Sequence, residues 1–374
     1  MEQLPTYFSK TNNSTIINII LGILLITIVA FAVLYIQTQI SKSPQKDKNM
    51  TTYLNDIDNN ISSINPYDAE KSYNLGDYYI MSSYNSCCNG NFKDGYVSLN
   101  ALSDVITRGA RVLDFEIYNI DNNPVVACSN SNDFNFKGSY NSIPFGQVIE
   151  LISKRAFSSS APNQNDPLII HLRIKTNNTK VCDKVGKIIA EGLDQYRLDD
   201  KYNNEYNIAG SLHNIMEEPL VDFMKKVIIV VDRSNTSFVG THLQEVTNLA
   251  SSTLFCNSLR NYDVVYAPSA SEIIEHNKKY TSITMCDLAN STPENMSAMV
   301  HMKFGCQMIC MNFQSVDEHL VFYLEQFNKA KSAFKLKPKE LRYIPVKSKV
   351  PTPQKKELSY APRIVSKPYF THTI

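Results

Sequence analysis

Arg111–Tyr118 reads RVLDFEIY, apolar at most positions and broken by Asp114 and Glu116 two residues apart. Successive side chains of a strand point to opposite faces, so both acids share one face. A strand with apolar residues on both faces is buried on both sides, which is the habit of parallel sheets. Seven further runs read as strands: Tyr78–Ser83, Pro124–Cys128, Leu168–Ile174, Val227–Asp232, Thr253–Asn257, Thr281–Asp287 and Cys306–Phe313. Amphipathic stretches separate them at Val97–Thr107, Phe145–Ala156, Cys182–Leu193, Ser271–Lys279 and Val316–Ala330. Eight strands with intervening helices over about 260 residues predict an α/β fold of the (β/α)8 TIM-barrel type. A doubly wound open sheet is the alternative, but no glycine-rich phosphate loop follows the first strand.

Upstream, Ile16–Tyr35 reads IINIILGILLITIVAFAVLY without a charge. A helix of that length rises about 30 Å, the thickness of a bilayer core. The run is longer than the apolar region of a signal peptide, and only Lys10 precedes it. The expected organisation is an N-terminal flank over 1–15, a single transmembrane anchor over 16–40, a polar stalk over 41–68, a barrel over 69–342 and a basic, proline-rich tail over 343–374. Lys42, Lys46 and Lys48 follow the span, which favours a single-pass membrane protein with its barrel on the cytosolic side.

The 374 residues are 43% hydrophobic with a formal net charge of +1, which excludes a disordered chain and a general basic surface for nucleic acid. From Lys329 onward, twelve Lys and Arg face only Glu340 and Glu357, so the tail is strongly basic and the remainder acidic. The tail reads as an extended, poorly folded appendage with affinity for anionic lipid. Eight cysteines lie mostly in apolar runs without zinc spacing and are expected as buried thiols.

Barrel enzymes carry their chemistry at the C-terminal ends of strands. Those ends hold Ser82–Asn85, Asp114 with Glu116, Cys128–Asn130, and His171 with Arg173. Asp114 and Glu116, with Asn85 near, could bind a hard cation through oxygen. From spacing alone, a polar layer paired with Arg111 or Arg173 reads as well. Cys128 with His171 as base is a thiol-nucleophile pattern, although a cysteine in an apolar strand is more often a packing residue.

At these residues the chain resembles the catalytic barrel of eukaryotic phosphoinositide-specific phospholipase C, in its X half over about 73–232 and its Y half over about 247–342. YYIMSSYNS is similar to the family's YFIxSSHNT, RGARVLDFEIY to KGCRxVELDxW, PVVACSN to PVVYHGH, and DPLIIHLRI to YPVILSLEN. In the Y half, LASSTLFCNS is similar to LSSLVIYCKS, EHNKK to EHNxR, and FGCQMICMNFQS followed by FKLKPKELR to GCQMVALNFQT and YVLKPxxLR. The resemblance implies a phosphodiesterase barrel using two histidines and a calcium ion on a phosphoinositide. Tyr84 and Cys128 stand at the two histidine positions. Asn85, Asp114 and Glu116 match metal positions, the two acids interchanged, while Arg173 replaces the remaining metal-binding Glu. Of the headgroup contacts only Ser258 keeps its type; the paired lysines align with Val230 and Asp232, and the Arg and Tyr with Ile283 and Met285.

These departures imply a membrane-anchored, catalytically degenerate phospholipase C-like protein that acts by binding lipid, a phosphoinositide or anionic lipid included, or a protein partner. The expected cofactor is none, with calcium only if the site is open. Arg173 is expected to bridge Asp114 and Glu116 in place of the ion. The alternatives are an active phosphodiesterase with altered substrate and rebuilt chemistry, and a membrane-tethered structural scaffold.

Overall fold

A computed structural model describes residues 13–68, 72–134, 136–208, 210–288, 293–344 and 361–374. Most of the flank over 1–15 and the middle of the basic tail lie outside the described residues.

Eight parallel strands form the barrel: β1 Tyr78–Ser83, β2 Val112–Ile120, β3 Leu168–Ile174, β4 Val227–Asp232, β5 Leu249–Ser251, β6 Cys256–Arg260, β7 Thr281–Met285 and β8 Met308–Met311. Their order is β6-β7-β8-β1-β2-β3-β4-β5, and a bridge between Thr253 and Cys256 links the two ends, so the barrel is nearly closed. The strands read as continuous apolar runs because both faces are covered: every residue of β1, β3 and β7 is buried.

Two strand expectations are corrected. Pro124–Cys128 does not form a stave; Asn123–Ala127 folds back antiparallel on β2, with Ile120 opposite Asn123. The cause is the two-residue turn Asp121–Asn122, both left-handed at φ 51° and 60°, which is the hairpin geometry that Asp and Asn tolerate. The expected strand Thr253–Asn257 begins later, at Cys256, and the three-residue β5 before it completes the barrel.

The helices are α1 Asn13–Asn55, α2 Leu99–Thr107, α3 Phe145–Arg155, α4 Thr179–Gly192, α5 His242–Val246, α6 Asn261–Val265, α7 Ala270–Lys279, α8 Ala298–Lys303 and α9 Glu318–Ala330. The apolar part of α1 is unburied and long and apolar enough to cross a membrane; a signal sequence meets the same test.

The segment expected as a polar stalk is instead part of the folded body. Helix α1 runs through Pro44 to Asn55, and Asp47, Met50 and Leu54 are buried. With Thr51 they form an i, i+3, i+4, i+7 stripe, half of it polar. Beyond the helix, Ile61 and Ile64 join the same core. Asn89 and Ser98 donate to the Asp47 carboxylate at 2.7 and 2.8 Å, Thr51 donates to Asp104 at 2.6 Å, and the Arg108 guanidinium caps the carbonyls of Ile57 and Asp58 at 2.7 Å each.

Residues 343–374 form a separate unit. Its end corrects the poorly folded expectation: Ile364–Lys367 and Phe370–Thr373 pair as an antiparallel hairpin, built on the β-branched Ile364, Val365, Thr371 and Thr373.

Candidate functional site

The register of β2 and β3 assembles the site. Asp114 lies opposite His171 and Glu116 opposite Arg173, so the alternating side chains of two parallel strands meet on one face. Asn85 follows β1, held in the left-handed region at φ 42°, where its backbone N–H donates to Asp114 Oδ2 at 3.0 Å. All of these side chains are buried, with Arg173 at 3% exposure and Asp114, Glu116 and His171 at 0%.

The Arg173 guanidinium lies among the oxygens that the sequence aligned with a metal site. Its Nε and Nη2 donate to Asp114 Oδ1 and Oδ2 at 2.9 and 2.7 Å, its Nη1 to Glu116 Oε1 at 2.6 Å, and its Nη2 also to Asn85 Oδ1 at 2.9 Å. His171 Nδ1 meets Asp114 Oδ1 at 2.8 Å and must carry the hydrogen there, since a carboxylate only accepts. The other ring nitrogen faces Ser251 Oγ at 2.9 Å. Tyr118 donates to Glu116 Oε2 at 2.8 Å. Asp114 thus receives four hydrogen bonds and Glu116 two, and every carboxylate oxygen has a donor.

Electrostatics follow. Burial raises the Asp114 carboxyl, but the Arg173 charge and the hydrogen bonds from His171 and Arg173 outweigh it and hold the group well below the usual carboxylate range. Burial pulls Arg173 down, and the charges of Asp114 and Glu116 more than reverse that, so the guanidinium stays charged. Among the described residues, no group of three or more His, Cys, Asp or Glu side chains is placed to hold a metal ion.

Tyr84 and Cys128 both lie at this end of the barrel and both are buried. The Tyr84 ring lies 4.7 Å from the Arg173 guanidinium carbon and packs edge-on to Phe92 at 5.4 Å, while Arg260 Nη1 donates to its hydroxyl at 3.1 Å. Burial raises its pKa further above a phenol's ordinary value. The Cys128 thiol sits 3.6 Å from that of Cys88, and this contact and then burial push it well above an ordinary thiol. A protonated, buried thiol is a poor nucleophile. All eight cysteines are free and buried.

Ser258 lies on β6, half-buried, and shares a face with Arg260 two residues on. Val230, Ile283 and Met285 are buried in the barrel, and Asp232 lies at the end of β4. Arg111 is not a partner of the acids; its guanidinium donates to the carbonyls of Ala156 and Asn163. Sequence reasoning missed Tyr118, Ser251 and Arg260. Tyr118 was visible in principle, as it continues the alternation of Asp114 and Glu116. Ser251 could not be found, because its three-residue strand carries no periodic signal.

Known proteins place this geometry. Residues 71–231 match the family model "Phosphatidylinositol-specific phospholipase C, X domain" and residues 228–340 match its Y domain. Among solved structures, L. pealei PLC21 and S. officinalis PLC21 each superpose with a TM-score of 0.60 at 18% identity, covering 73% of this chain. The chain spans 38% of the length of either one. No curated protein sequence matches the chain. Matched in chain order by both halves of one catalytic barrel, residues 71–340 belong to the phosphatidylinositol-specific phospholipase C family.

Proposed function

We propose that this protein is a membrane-anchored, catalytically degenerate phospholipase C barrel that acts by binding, at a lipid surface or to a protein partner. The observation that carries the reading is the Arg173 guanidinium, bonded at once to Asn85, Asp114 and Glu116. The residues present do not fit a calcium ion. Their oxygens are of the right type, but they already surround a fixed positive charge, and a divalent ion would have to displace a buried guanidinium.

The acid/base positions support the same reading. A positioned acid/base group contributes roughly 10²- to 10⁴-fold in rate. A phenol and a thiol whose pKa values are raised by burial and neighbours supply neither a base nor a charge stabiliser at neutral pH. Loss of the metal removes several kcal/mol of charge stabilisation more. Ile283 and Met285 leave a phosphorylated headgroup without cationic or hydroxyl contacts at those positions. In this reading residues 16–40 are the anchor, and recruitment is replaced by permanent residence at the bilayer.

The test is hydrolysis by the full-length protein in vesicles containing phosphatidylinositol or its phosphates, with and without calcium. Release of inositol phosphates is expected to stay at the protein-free background. Calcium-dependent turnover that Asn85→Ala abolishes would contradict the proposal.

A further inference from the structure

Two of the eight free cysteines face each other at the mouth of the barrel. Cys88 lies in the loop between β1 and α2, and Cys128 directly follows the folded-back strand Asn123–Ala127. Their sulfurs are 3.6 Å apart. Among the described residues no other pair of thiols makes such a contact.

Backbone bonds hold both residues in place. The Cys88 N–H donates to the Asn85 carbonyl at 2.7 Å, and Cys88 forms an antiparallel bridge with Val97. The Cys128 carbonyl accepts from the N–H groups of Gly138 and Ser139 at 2.9 and 3.0 Å. The two loops are also tied to each other, Asp94 N–H to Gly138 O at 3.0 Å and Tyr140 N–H to Gly95 O at 2.8 Å. Gly138 permits the approach, since a Cβ there would meet Phe92 O at 2.5 Å.

The thiol hydrogens fit the same arrangement. Cys88 donates to the Gly90 carbonyl at 3.1 Å, so its sulfur is left to accept the Cys128 hydrogen. A disulfide needs its sulfurs about 2.05 Å apart, so they must close by about 1.5 Å, which side-chain rotation can supply. The cover over the pair is one loop thick: Gly90 is half-buried, and Asn91, Lys93 and Asp94 are exposed.

We propose that Cys88 and Cys128 are an oxidative modification site, where hydrogen peroxide joins them in a reversible disulfide that clasps two mouth loops. Peroxide is close to water in size and passes a thin cover that excludes a protein oxidant. Cys88, the less covered sulfur, loses its proton and attacks one peroxide oxygen; the O–O bond breaks, leaving a sulfenic acid and, with that proton, one water. The Cys128 sulfur then attacks the sulfenic sulfur, and its hydrogen leaves with the hydroxyl as a second water. Two thiols thus lose two hydrogens and two electrons, and one peroxide takes them. The raised pKa of Cys128 makes it a slow first attacker and suits it to the second step, where the sulfur it attacks is already in contact. In a reducing compartment the pair rests as thiols and closes transiently. The clasped loop carries Phe92, whose carbonyl lies 3.8 Å from the Cys128 sulfur and whose ring packs on Tyr84.

The full-length protein in phosphatidylcholine nanodiscs is treated with hydrogen peroxide, quenched with catalase and unfolded in excess alkylating reagent, then mapped as peptides without reductant. Free thiols are expected to fall from eight to six, with one linked peptide that joins Cys88 to Cys128 and is two hydrogens lighter than its reduced parts. Dithiothreitol should restore all eight. A bond across about 40 residues restrains the unfolded chain, so the bridged protein should unfold at a higher denaturant concentration than the reduced one. Cys88→Ser and Cys128→Ser should each give no linked peptide and gain no resistance from peroxide. Eight thiols after treatment, a bridge between other cysteines, or sulfinic acid at Cys88 or Cys128 in place of the bridge overturns the site. A bridged protein whose unfolding is unchanged overturns the clasp. The wild-type map decides the site by itself should either variant fail to fold.

Discussion

The two halves of the barrel mouth treat burial in opposite ways. Strands β1 to β3 of the X half turn Asp114, Glu116, His171 and Arg173 onto one buried face, with Asn85 just beyond β1, and every charge is answered. Strands β6 to β8 of the Y half turn Ile283, Met285, Met308 and Cys310 toward the corresponding registers, leaving Ser258 and Arg260 as the polar groups on that face of β6. One half surrounds a side-chain cation with carboxylate and amide oxygens. The other is apolar on that face of β7 and β8. A cluster of buried charges can thus be closed by its own side chains, since every carboxylate oxygen of Asp114 and Glu116 has a donor.

That contrast can be broken most forcefully at Arg173. Arg173→Ala would leave two carboxylates buried without their cation, and removing one partner of a buried pair typically costs about 3–5 kcal/mol. Chemical denaturation should show a loss in that range; a loss below about 1 kcal/mol would mean that the cluster is hydrated or rearranged.

Next in size is a paired measurement across the halves. Ile283→Ala should cost about 2–5 kcal/mol through lost burial and an unfilled cavity, and that cost should not depend on pH. Asp114→Asn should behave differently. The Asp114 pKa is depressed in the folded state, so its contribution is fully present above the unfolded carboxyl value near 4 and is lost as pH falls through the folded value. The deficit of Asp114→Asn should therefore shrink on acidification below about pH 4 while that of Ile283→Ala persists. Parallel pH profiles for the two variants would remove the distinction.

Tyr118→Phe leaves Glu116 Oε2 without its donor and should cost about 1–3 kcal/mol. The smallest effect is a gain: Arg173→Glu removes the resident cation and supplies a further carboxylate. Its stability should rise with calcium where the wild type's does not, by about 1.4 kcal/mol for each tenfold excess over the dissociation constant.

The legibility of the molecule follows the same division. The buried staves β1, β3 and β4 were readable residue for residue, because an apolar run closed by polar residues has one interpretation in a parallel barrel. The second half was less readable: β5 is too short for a pattern, and β6 lies three residues later than its apolar run suggested. The fold-back of Asn123–Ala127 depends on the left-handed turn at Asp121 and Asn122, which no apolar period announces. The docked end of α1 escaped because its buried stripe includes Asp47 and Thr51, polar residues whose partners lie about 50 positions away in sequence. The resemblance pointed to Asn85, Asp114, Glu116 and Arg173, four side chains that meet in the fold, whereas Cys88 beside Cys128 depends on a loop path that no local pattern encodes.

In the proposed reading Arg173 serves as the cation among the oxygens of Asn85, Asp114 and Glu116. Calcium titration calorimetry on the full-length protein in nanodiscs tests it most directly. No saturable heat is expected for the wild type; stoichiometric calcium binding that Asn85→Ala or Asp114→Asn abolishes would show that Arg173 does not hold the cation position.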